Sequence, residues 1–144
     1  MRLITAALGV LAATTILTGT ITAQTVGEGG RKLTTTLSGG AERPGPGDPD
    51  GTGTARITVN AGQGRVCWDV TVSNIDAATA AHIHRAPPTA AGPPVVTMAP
   101  PTGHGCAEVA RALAQELIRT PGAFYVNVHN AAFPAGAIRG QLGR

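Results

Sequence analysis

Four histidines occur in the chain, and two of them stand two residues apart in the stretch TAAHIHRAPPTAAGPP: His82 and His84, with Ile83 between them. A third, His129, closes the stretch FYVNVH near the C-terminus. Imidazole can ligate a metal, act as a general base or serve as a hydrogen-bonding post, so three uses are open. Three imidazoles suit zinc or copper, and Asn127 stands where it could orient one of the rings. A single imidazole could move a proton in a reaction. Alternatively, each ring ties down a backbone carbonyl of a nearby loop, because irregular Pro/Gly-rich segments carry carbonyls that need donors. RAPPTAAGPP directly follows His84, and NAAFPAG follows His129. The loop-tying reading comes first on this count, the metal site second and the catalytic base last.

Two further residues share this chemistry. In AIRGQL, Arg139 is followed by Gly140 and Gln141. The glycine allows close backbone approach. The planar guanidinium can then bond carbonyls of the loop after His84, or pair with Asp69 or Asp76. A structural clamp is the expectation for Arg139. Nucleophilic hydrolase chemistry has little to draw on. Ser38 and Ser73 are the only serines, and neither lies in a nucleophile-elbow sequence. Asp48 and Asp50 lie in a Pro/Gly-rich stretch without the rest of a calcium loop and read as a solvated turn. No catalytic residue is assigned.

The elements that must position these side chains are read from periodicity. Alternation over residues 54–60 and 65–73 indicates two strands joined at GQG. Val66, Trp68, Val70 and Val72 form an apolar face, with Cys67, Asp69 and Thr71 opposite. Residues 32–39, 79–84 and 95–98 also read as extended, and PPTGHG (100–105) as a turn. From Glu108 to Arg119 the apolar positions Val109, Ala110, Leu113, Ala114, Leu117 and Ile118 follow a helical period, stopped by Pro121-Gly122. The last segments alternate again. Six to eight short strands with one short helix predict a mostly β domain, an antiparallel Greek-key-like β-sandwich.

Pleating sends alternate residues to opposite faces. With Ile83 inward, His82 and His84 emerge together on the outer face. The same parity sends Tyr125, Asn127 and His129 outward in one late segment, and Arg139 and Gln141 in the other. If these strands are neighbours, the side chains form one polar cluster.

The chain has 144 residues and a formal charge of +3. It opens with Arg2, an uncharged and largely apolar run to Leu17, and small residues up to Ala23. That is the layout of a secretory signal peptide over residues 1–23, followed by a flexible leader over 24–31 and a domain over 32–144. The stretch after cleavage keeps ten of the eleven basic residues and all eight acidic ones. This small, scattered excess, with few aromatics, does not favour nucleic-acid binding. No membrane span is expected after cleavage. In an exported chain Cys67 and Cys106, the only cysteines, are expected to form a disulfide.

LSGGAERP, AHIH with a later GPPVV, and YVNVHNAAFPAGAIRGQL together resemble the chordin (CHRD) domain family over about Lys32 to Leu142. The chain departs from the family pattern at Asn130, where Thr is usual, and in RAPPTAAG, which lacks the usual Gly soon after the second His. The resemblance implies a β-sandwich module of secreted proteins. In animals such modules accompany domains that bind bone morphogenetic proteins. A weaker likeness, to the copper/zinc superoxide dismutases, rests on His-x-His on the outside of a β-sandwich; no histidine-rich zinc loop accompanies it. The expectation is a secreted or cell-envelope, non-enzymatic binding or structural module. It would be monomeric, without cofactor, with an extracellular protein or surface ligand as partner. The alternative is a copper- or zinc-binding, dismutase-like protein using His82, His84 and His129.

Overall fold

The computed structural model describes residues 29–144; the expected signal peptide and most of the leader lie outside them. Eight strands follow in order: β1 (Arg31–Ser38), β2 (Thr52–Asn60), β3 (Arg65–Ser73), β4 (Ala78–Arg85), β5 (Pro94–Thr97), β6 (Gly103–Glu108), β7 (Phe124–Asn130) and β8 (Ile138–Gln141). The α-helix among the described residues, α1 (Arg111–Arg119), lies between β6 and β7. All strand pairs are antiparallel and join into one sheet of order β5-β4-β7-β8-β1-β2-β3-β6. The expected mostly β, antiparallel fold with one helix is present. Its sandwich takes the form of a single curled, nearly closed sheet.

The curl follows from the pleat. Inward residues of every strand from β1 to β5, and of β7 and β8, meet in one apolar cluster that includes Leu33, Ile57, Trp68, Ile83, Val96, Val126 and Ile138. A sheet with one apolar face and eight strands buries that face by wrapping around it. The connection between the two edge strands, β5 and β6, closes the opening. The Met98 N–H donates to the Ala81 carbonyl at 2.9 Å, and the Trp68 indole N–H donates to the Pro100 carbonyl at 3.1 Å. Ala114 and Leu117 of α1 complete the core. On its other side the helix is tied to β4 by the Arg85–Glu116 ion pair at 2.6 Å.

Three expectations are corrected in detail. Residues 103–105, read as the end of a turn, open strand β6 instead. Gly103, His104 and Gly105 carry no strand propensity, and pairing with β3 imposes the extended backbone. The helix begins at Arg111 rather than Glu108, because Glu108 still belongs to β6 and the Val109 N–H donates to the Gly64 carbonyl at 2.7 Å. Asp48 is not solvated: it is buried, in a loop whose Asp48 N–H donates to Ala137 carbonyl at 2.8 Å. Asp50 is exposed.

Cys67 and Cys106 are directly opposite on β3 and β6 and are joined by a disulfide. As the alternation of β3 requires, the bond lies on the face away from Trp68 and Val70. It fastens the edge strand β6 to its neighbour.

Candidate functional site

The strand order places β4, β7 and β8 side by side. His82 is registered against Asn127, and Asn127 against Arg139; His84 is registered against Tyr125, and Tyr125 against Gln141. The outward residues of three segments distant in sequence thus form two rows on one patch of sheet. On the opposite face of the same strands, Ala81, Ile83, Val126, Val128 and Ile138 enter the core. The patch is a second, polar layer, covered by the loop 86–93 and by the segments around Glu42 and Pro134.

Most of the polar layer's donors point at the covering loop. Arg139, only 2% exposed, donates to the carbonyls of Ala90 and Pro87, both at 2.9 Å. Its guanidinium stacks on the Tyr125 ring, 3.5 Å from the centroid. Gln141 donates to the carbonyls of Ala86 and Gly122 at 2.8 Å. The His84 Nδ1 lies 2.8 Å from the Gly92 carbonyl, and the Gly92 N–H donates to the Tyr125 hydroxyl at 3.3 Å. Of the partners considered for Arg139, the loop carbonyls are the ones it meets. Asp69 instead faces His104, 3.2 Å away on β6. Gly140 is required between Arg139 and Gln141, since a Cβ there would collide with the Thr36 carbonyl of β1.

His129 Nδ1 lies 3.1 Å from the Pro134 carbonyl. A carbonyl can only accept, so His84 and His129 both carry their proton on Nδ1 and present a bare Nε2. His129 Nε2 faces His82 Nδ1 at 3.2 Å. His84 Nε2 is buried and makes no hydrogen bond within the protein. One ring nitrogen from each of the three histidines lies within 4.8 Å of the other two. Burial holds all three imidazoles below their ordinary pKa. The neighbouring rings add to this for His82; the bonds to Gly92 and Pro134 oppose it for His84 and His129.

Glu42 was not singled out from the sequence. It is 4% exposed and accepts a hydrogen bond from the Asn127 Nδ2. Burial pushes its carboxyl up to about 7 against the pull of the Arg139 charge. Asn127 therefore serves this carboxyl, not the expected orientation of a histidine. Nothing in the stretch GGAERPG marks Glu42 as buried, because residues distant in the sequence, Asn127 and Gly136 among them, pack around its carboxyl. Asn130, the departure from the family's usual Thr, accepts the Phe133 N–H at 2.7 Å and shapes the turn leading to Pro134.

Comparison with protein-family models matches residues 33–142 to the CHRD domain. Neither curated proteins nor solved structures yield a match.

Proposed function

This chain belongs to the CHRD domain family, and from that premise we propose that it acts as an exported, non-enzymatic binding module that displays the loop 86–93. One observation carries this reading: five hydrogen bonds from the polar layer, from Arg139 (two), Gln141 and His84 and to Tyr125, hold the main chain of a loop that has no strand or helix of its own. Four of them end on carbonyls, and the side chains of Pro87, Pro88, Thr89, Ala90 and Ala91 are left exposed. A loop fixed through its backbone presents its side chains in one geometry, so a partner need not order it on binding. Arg139, Gln141 and Tyr125 are engaged by the protein's own loop, an arrangement that suits recognition better than turnover. The cross-strand disulfide and the family are compatible with an extracellular protein. No helix among the described residues is long and apolar enough to cross a membrane.

Two measurements test the reading. N-terminal sequencing of the protein from its native host should begin at Gln24; retention of residues 1–23 contradicts export with cleavage. Immobilised protein should capture an extracellular protein or surface ligand saturably. Pro88→Ser with Thr89→Ala should abolish capture without moving the melting temperature. Capture that survives these substitutions rejects the loop as the binding element.

A further inference from the structure

We propose that His82, His84 and His129 form a binding site for one late first-row metal ion, copper(II) or zinc(II), in addition to the loop-holding role of two of them. The geometry comes first. Tetrahedral zinc with Zn–N bonds of about 2.0–2.1 Å separates its ligand nitrogens by roughly 3.3–3.4 Å. His82 Nδ1 and His129 Nε2 already stand 3.2 Å apart. The widest separation within the trio is 4.8 Å or less, a gap that small rotations of half-buried rings can close.

Proton placement points the same way. A metal-ligating histidine commonly donates its other ring N–H to a carbonyl or carboxylate, which sets the tautomer and aims the free nitrogen. His84 and His129 have this arrangement through Gly92 and Pro134. Loop-tying alone explains their Nδ1 atoms but not the buried lone pair on His84 Nε2, which has no donor. It also leaves His82 unexplained: among the described residues its ring bonds to His129 rather than to a backbone carbonyl, and it stands edge-on to both other imidazoles. A metal ion would engage His84 Nε2 and His129 Nε2 directly, and His82 Nδ1 once the proton it shares with His129 moves to His82 Nε2.

The donor set selects the ion class. Three imidazole nitrogens without a carboxylate or thiolate among them suit copper(II) and zinc(II), not calcium or magnesium. Arg139 opposes any cation here, since its charge reaches His84. The opposition is limited because Arg139 also interacts with the Glu42 carboxyl. All three ligands lie on the neighbouring strands β4 and β7, so the site is built on rigid elements.

The test uses untagged protein spanning residues 24–144, stripped with chelator, then loaded separately with copper(II) and zinc(II) and dialysed. Close to one ion per chain should be retained of at least one metal. The copper form should show coupling to three nitrogens in its electron paramagnetic resonance spectrum. His82→Ala is the informative variant, because it removes a ligand without freeing a loop carbonyl; affinity should fall at least tenfold. His104→Ala, outside the cluster, should bind as wild type does. His82→Gln, with melting curves for every variant, separates loss of a ligand from loss of the fold. Retention below about a tenth of an ion per chain for both metals, or equal affinity in folded His82→Ala and wild type, overturns the proposal.

Discussion

Replacing Arg139 by Met tests the loop clamp with little loss of volume. Arg139 supplies two charge-assisted bonds to main-chain carbonyls. Hydrogen bonds from charged groups contribute about 1.5–3 kcal/mol each. Its stacking on Tyr125 adds up to ~2 kcal/mol where water is excluded. These contributions are not additive, and the Pro87 and Ala90 carbonyls belong to surface residues that water can reach once the loop lifts. About 3 kcal/mol is therefore the expected loss. For a domain of this size 1 kcal/mol corresponds to roughly 4 °C, so the melting temperature should fall by about 12 °C. The effect should also be local: exchange of the Ala90 and Gly92 amides should accelerate by at least tenfold under conditions where core amides remain protected. Circular dichroism melting and hydrogen exchange by NMR read both. A shift under about 3 °C, with loop exchange unchanged, would refute the assignment of Arg139 as the clamp.

Glu42→Gln should show a pH signature. The carboxyl titrates near 4.5 when unfolded and about 7 when folded, so between these values the folded state binds the extra proton. The group's contribution therefore weakens the protein as pH rises through that window, by about 3 kcal/mol in full above pH 7. The glutamine variant, which keeps an acceptor for Asn127, should gain several degrees relative to wild type between pH 4.5 and 8; a difference constant with pH contradicts this. The three histidines act oppositely, costing stability as pH falls below 6.5, but they are common to both proteins and cancel in the comparison. Removing the disulfide by Cys67→Ser with Cys106→Ser should cost about 4 kcal/mol in the chain-entropy account, given the sequence separation of 39. A melting temperature within 4 °C of wild type would show that β6 is held by its other contacts.

Much of this arrangement is written in the pleat. Alternation in TAAHIHR, FYVNVHN and AIRGQL assigns each polar residue to the outer face, and the structure agrees at His82, His84, Tyr125, Asn127, His129, Arg139 and Gln141. Parity tells the face and not the neighbour. That β4, β7 and β8 adjoin depends on long-range pairing. Strand β6 escaped notice because Gly103, His104 and Gly105 have neither branching nor apolar alternation, and β3 makes them a strand. The burial of Glu42 and Asp48 is hidden for a related reason: Pro/Gly-rich composition reads as surface, whereas their burial comes from one loop packing against another. The carbonyl-tying role of His84 and His129 was legible from the loops beside them. The orphaned His84 Nε2 was not, because it depends on what covers the ring.

The account rests on the claim that backbone carbonyls fix the two outer imidazoles so that their Nε2 atoms converge. Long-range proton–nitrogen NMR of the metal-free protein at pH 8 measures this directly. His84 and His129 should both be neutral Nδ1–H tautomers with unprotonated Nε2. A proton on Nε2 of His84 would contradict both the loop platform and the metal site, and a proton on Nε2 of His129 would contradict the metal site.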